Sequence, residues 1–262
     1  NLNTVGNIFE IRENHSITSL SSFGSLLSVG NMLIIDTNDQ LPNLHGLESL
    51  NSVQEITIKN NGLLTSISAL SGITSINKSL FISFCPLLTN LDGLQNLTEI
   101  KGSFLLYDNA GLTSLTGLNN LTKVLGGVEI KNNASLTSLA GVTKLGTVGN
   151  FDIIHNPALV NLNGMEALTS TTYDVVIYQN NSLVNLDGLN NLKNIGSFLF
   201  IGENASLPNV NGLSNLETVG GYLAISRNPM LADIKGFYKL VQINGELRVN
   251  ENTILTELSG LD

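Results

Sequence analysis

The chain has 262 residues, of which 13% are charged and 5% aromatic, with no tryptophan, one cysteine and a net charge of −9. Phosphate recognition needs a clustered basic surface, so this balance excludes nucleic acid as a partner, and a single thiol excludes an internal disulfide framework. No apolar run approaches the ~20 residues of a membrane-spanning helix, so this segment is not expected to insert into a membrane.

One asparagine recurs along the whole chain. It falls at Asn14, Asn38, Asn61, Asn109, Asn133, Asn156, Asn180, Asn204, Asn228 and Asn252, and Cys85 takes the remaining place. The step is 24 residues, as from Asn204 to Asn228, shortened to 23 between Asn38 and Asn61 and between Asn133 and Asn156. A self-repeat of this period marks a solenoid, which grows by adding coils rather than by enlarging a globular core. The expected fold is mainly β. It is a right-handed parallel solenoid of about eleven 24-residue leucine-rich coils with an Asn ladder and short helical or 3₁₀ turns, forming one domain over residues 1–262. At about 4.8 Å per rung the stack would be roughly 50 Å long. The repeat is cut at both ends of the chain, which reads as a piece of a longer protein.

Within each coil the elements follow a fixed order. A Leu-x-Ile piece, such as Leu223–Ala224–Ile225, alternates with period 2 and predicts one short strand with two side chains inward and the middle one outward. The asparagine then turns the chain, and its amide can satisfy backbone groups that burial would strand. Apolar spacing next becomes three, as at Leu186, Leu189, Leu192 and Ile195. Ser21, Ser68, Asp92, Thr116, Asn163, Asp187, Asn211 and Ser259 stand two before the next apolar position, Leu in most coils, and predict capped single helical turns. A Val or Ile begins a second short extended piece. A glycine column (Gly6, Gly30, Gly102, Gly126, Gly149, Gly196, Gly220) then supplies a corner. Thr171 replaces the expected Val in one coil and places a hydroxyl in a core column.

The segments Gly188–Leu189–Asn190–Asn191–Leu192–Lys193–Asn194–Ile195–Gly196 and Leu199–Phe200–Ile201–Gly202–Glu203–Asn204–Ala205–Ser206–Leu207 carry a family resemblance. The chain resembles leucine-rich repeat proteins. It is more similar to the receptor L-domain-like repeats of fungal GPI-anchored cell-wall proteins and bacterial surface proteins than to the ordinary pattern, because Leu207 follows Asn204 by three. The resemblance covers essentially the whole chain. It implies an extracellular or cell-surface location and a protein or glycan partner.

Signs of catalysis are sparse. His15, His45 and His155 lie in different coils and columns, and no HExxH, CxxC, Walker loop or nucleophile elbow is present. No catalytic residue, metal or cofactor is expected, and Cys85 reads as a structural thiol in a ladder slot. Glu129 and Asp152 fall in the same outward column of adjacent coils, about 5 Å apart by rung spacing, which would suit a retaining glycosidase pair. Lys131 beside them and the lack of an apolar pocket favour a solvated charge cluster. Four ladder asparagines, Asn14, Asn133, Asn180 and Asn204, begin Asn-x-Ser sequons but are expected to be buried, whereas Asn77, Asn96 and Asn120 are expected to be exposed.

The outward face of the first strand is more informative. Its central column reads Glu10, Ile34, Thr57, Phe81, Leu105, Glu129, Asp152, Val176, Phe200, Ala224 and Arg248. Met32, Tyr107, Ile154, Tyr178, Phe198 and Tyr222 flank it. Polar residues are the default on a solvated sheet face, whereas clustered apolar and aromatic residues mark a partner surface. The candidate binding residues are Met32, Ile34, Phe81, Leu105, Tyr107, Ile154, Val176, Tyr178, Phe198, Phe200 and Tyr222. The expected function is non-enzymatic recognition or adhesion at a surface, with a homodimer through the apolar face as one form of partner. A structural spacer displaying another domain and a carbohydrate-active solenoid enzyme are the alternatives.

Overall fold

The computed structural model describes residues 2–261. Each coil contributes one strand to a single 11-stranded sheet, ordered as in the sequence from Ile8–Arg12 to Leu247–Asn250. Every neighbouring pair is parallel; Leu199–Gly202, for example, pairs residue for residue with Val175–Tyr178 on one side and Leu223–Ser226 on the other. Alternation decides which way each side chain points. In Val175–Tyr178, Val175 and Ile177 are buried while Val176 and Tyr178 stay half exposed. The predicted second extended piece is present as two-residue strands such as Asn194–Ile195 and Thr218–Val219, which form short parallel sheets of 2, 3 and 5 strands. Single 3₁₀ turns occur at Ser21–Phe23, Ser68–Leu70, Asn211–Leu213 and Lys235–Phe237.

The inward side chains form one apolar cluster that runs through the stack from Phe9 to Phe237. Burying each Leu or Ile in it contributes about 1.5–3 kcal/mol, and the repeat supplies several per coil. Phe104 and Phe151 share with Phe9 an inward strand column that in the other coils carries Leu, Val or Ile, and both are fully buried. Thr171 is buried in its Val column, and its hydroxyl is satisfied by the Tyr173 carbonyl at 3.1 Å.

The ladder runs in one direction. The backbone N–H of Asn180 donates to Oδ1 of Asn204 at 3.0 Å, and Nδ2 of Asn204 donates to the Ile177 carbonyl at 2.9 Å. Cys85 keeps the slot with fewer bonds: its N–H donates to Asn109 Oδ1 at 3.1 Å and its Sγ lies 3.4 Å from the Ser83 carbonyl. Burial pushes this thiol up to about 11, so it is inert as a nucleophile at neutral pH.

Three local expectations are corrected. The predicted caps stand two residues too late. Ser21, Ser68 and Asn211 are themselves the first helical residues, and the residues before them make no side-chain cap. The residue two positions earlier closes the turn instead, as where Asn185 Oδ1 accepts the Asp187 N–H and Asn209 Oδ1 accepts the Asn211 N–H. The corner glycines after Gly6, which itself faces open space, are held by crowding rather than by a special dihedral. A Cβ on Gly220 would run into the carbonyl of Gly196 in the coil beneath. Finally, Asn14 is exposed, because its coil has a neighbour on one side only.

One regularity was not anticipated. The residue before every ladder position has a left-handed backbone: Glu13, Thr37, Asn60, Phe84, Asp108, Asn132, His155, Gln179, Glu203, Arg227 and Glu251 all have φ between 51° and 60°. None is glycine. A continuing strand would turn the next residue outward; the left-handed step inverts the phase and sends the asparagine into the core. The backbone N–H of the left-handed residue stays in the sheet, as where Gln179 donates to the Gly202 carbonyl at 3.0 Å.

Candidate recognition face

The strand register builds the outward face. Glu10, Ile34, Thr57, Phe81, Leu105, Glu129, Asp152, Val176, Phe200, Ala224 and Arg248 form one in-register column across the sheet. Beside it run Tyr107, Lys131, Ile154, Tyr178 and Gly202 in a second column. Phe198 and Tyr222 lie in a third, where their carbonyls accept the Val175 and Leu199 N–H groups.

The two-residue strands provide an internal comparison. Their outward residues include Ser75, Glu99, Lys123, Thr147, Asn194 and Thr218, all polar or charged. The same fold thus leaves one sheet's outer side polar and the other aromatic.

The candidate residues form two patches. Phe81 and Tyr107 meet edge to face at 5.4 Å beside Leu105. Across the charged centre, Tyr178 and Phe200 lie 5.6 Å apart at 33°, Phe198 and Tyr222 stack at 4.6 Å and 5°, and Val176 and Ile154 border them. Met32 and Ile34 are not brought into either patch, because Glu55 and Thr57 lie between them and Phe81.

The centre is a compact ionic cluster. Lys131 Nζ lies 2.6 Å from Glu129 and 3.7 Å from Asp152, and the Tyr107 hydroxyl donates to Glu129. Burial pushes the Glu129 carboxyl up, but hydrogen bonds from Lys131 and Tyr107 and the lysine charge outweigh it and hold it below its usual range. Asp152 differs. Only 9% of it is exposed, its Oδ1 has no hydrogen-bond partner, and burial, with the charges of Glu129 and Asp174 adding to it, raises it to about 6 against the pull of Lys131. Burial and the bond to Glu129 likewise raise the Tyr107 phenol.

Along the edge of the second patch runs a groove lined by His155, Gln179, Asn181, Glu203, Ala205, Arg227 and Pro229. Gln179 Nε2 donates to Glu203 at 2.8 Å, and Arg227 bridges Glu203 at 3.3 Å and Glu251 at 2.9 Å. Four of these groove residues, His155, Gln179, Glu203 and Arg227, stand in the left-handed column, which the apolar repeat pattern does not mark. Of the sequons, Asn133, Asn180 and Asn204 are buried, while Asn77, Asn96 and Asn120 are exposed. Among the described residues no group of three or more His, Cys, Asp or Glu side chains is placed to hold a metal ion, and no helix is long and apolar enough to cross a membrane.

No family model matches the chain, and no curated protein matches it.

Proposed function

We propose that this chain is a non-enzymatic recognition or adhesion module that binds a protein or glycan partner through the outward face of its long sheet. The observation that carries this reading is the contrast between the two outer surfaces. The short sheets point polar residues outward, whereas the long sheet gathers Phe81, Leu105 and Tyr107 in one patch and Tyr178, Phe198, Phe200 and Tyr222 in another. Solvation alone gives no reason for that asymmetry. A face fixed by eleven paired strands loses little conformational freedom on binding. The repeat's resemblance to receptor L-domain-like leucine-rich proteins favours an extracellular or cell-surface setting. The acidic pair fits a structural role, because Glu129 is already committed to Tyr107 and Lys131. A spacer role predicts no affinity for anything at this face.

The test is the double variant Phe200→Glu, Tyr178→Glu, compared with wild type in a glycan array, a pull-down and a measurement of oligomeric state, with a reducing-sugar assay alongside. Partner binding, or self-association if the partner is a second copy, is expected to be lost while the circular dichroism spectrum is kept. Unchanged binding and unchanged oligomeric state would sink the reading. Sugar release abolished by Glu129→Gln would replace it with an enzymatic one.

A further inference from the structure

The two aromatic patches differ in how their rings lie. A Cβ placed on Gly202 would sit 2.5 Å from Phe200 Cζ and 3.0 and 3.1 Å from its two Cε atoms. With Cζ at 2.5 Å, both Cε atoms are closer than they would be to a point in the ring plane beyond the tip, so that point lies under the ring tip and out of the ring plane. Phe200 therefore lies flat along its own strand over Gly202, and the opposite face of the ring looks outward. Tyr178 is the register partner of Gly202 and is tilted only 33° from Phe200, so the two rings make a nearly continuous platform. The next strand offers only Ala224 and Ser226 beside it, which leaves the platform open on that side. At the first patch Phe81 and Tyr107 cross at 71°, and Lys131 Nζ lies 5.5 Å from the Tyr107 ring centroid. No comparable flat surface exists there.

We propose that Phe200 and Tyr178, with the groove beside them, form a saccharide subsite in which a sugar ring stacks on the platform and its hydroxyls reach Gln179, Asn181, Glu203 and Arg227. This rests on the long sheet's outer side being the recognition surface and names what its second patch takes. Three features select a sugar. Its C–H groups carry partial positive charge and lie well against the negative face of an aromatic ring. Its neighbouring hydroxyls both donate and accept, matching amide, carboxylate and guanidinium groups that are planar and can bond two at a time. The groove has those groups ready, since Glu203 is held by Gln179 at 2.8 Å and by Arg227 at 3.3 Å, and Arg227 is anchored again by Glu251. A purely apolar peptide would leave this polar row unmatched.

The probes are cellohexaose, laminarihexaose, mannohexaose and chitohexaose, each titrated into the whole chain and followed by calorimetry and NMR. At least one is expected to bind. Phe200→Ala should weaken that binding about tenfold, the scale of one lost aromatic contact. Gly202→Ala should do the same by lifting the ring, whereas Ser75→Ala, on the polar outer side of the short sheets, should leave the affinity unchanged. Circular dichroism confirms that each variant is folded. Absence of binding by all four sugars at about 1 mM, the weak end of specific affinity, overturns the subsite, as does binding insensitive to Phe200→Ala and Gly202→Ala. If no sugar binds but a protein partner is lost in the Phe200→Glu, Tyr178→Glu variant, only the saccharide assignment falls. If no interaction of any kind responds to these variants, the face reading falls with it.

Discussion

Asp152 shows what a single residue contributes when the repeat places a charge between another carboxylate and an apolar side chain. It stands in register between Glu129 and Val176, is 9% exposed, and titrates near 6 because burial disfavours its charge. The sign follows from linkage. The folded protein holds this proton up to about pH 6, whereas the unfolded chain releases it near the ordinary aspartate value of 3.8. Stability attached to this residue is therefore fully present below the unfolded value and is lost as pH rises through the folded one. Above pH 6 the ionised carboxylate costs about 3 kcal/mol, because each tenfold change in proton affinity between the folded and unfolded chain is worth about 1.36 kcal/mol. Asp152→Asn should match wild type in urea unfolding at pH 3.5 and exceed it by about 3 kcal/mol at pH 8. A gap that does not change with pH would show that the charge is not the cause. The repeat spacing placed this residue correctly in its column, but its titration depends on its burial and on the charges of Glu129, Lys131 and Asp174, and spacing alone does not report that.

At the scale of the element, legibility depended on whether a position is set by side-chain type or by backbone geometry. The strands, the ladder and the outward columns were readable because period-2 alternation and the 24-residue step dictate them. The left-handed column was not. Its residues range from Phe84 to Arg227, so the conformation is imposed by the coils stacked on either side and leaves no mark on composition. The orientation of Phe200 was hidden for a related reason, although Gly202 two residues on, where most coils carry a side chain, was a usable signal. The turns were misread by two positions because Ser, Thr, Asn and Asp are frequent at both. Asn185 and Asp187 separate the two assignments. Asn185 Oδ1 accepts the Asp187 N–H at 3.0 Å, while Gly188 beyond it adopts φ 108°. Asn185→Ala should therefore destabilise the chain by about 1 kcal/mol, the usual worth of a capping side chain. Asp187→Ala should change stability by less than about half that, as for an exposed position without a partner. Equal losses in thermal unfolding would return the capping role to Asp187.

For the whole molecule, the decisive property is that each coil touches only its neighbours, so stability is distributed along a line. The two ends of that line differ. At the first coil, Phe9 and Ile11 are 9% and 7% exposed, and the Phe9 and Phe23 rings meet at 4.8 Å to close the end of the core. At the last coil, Leu247 is 45% and Leu258 52% exposed. The inward positions that are sealed in the coils before it thus lie open there, and in the chain of residues 1–262 local opening should begin at that end. Amide exchange measured by mass spectrometry at neutral pH should be fastest, among strand amides, in Leu247–Asn250, slower in Ile8–Arg12, and slowest from Phe104–Tyr107 to Leu199–Gly202. Equal protection at the two ends would show that the aromatic closure contributes nothing. The same gradient bears on recognition, because Tyr178 and Phe200 sit on strands with coils stacked on both sides. A ligand bound there meets a surface that is already ordered, so it should add protection at the groove residues Gln179 to Glu203 and little in the strand cores beneath them.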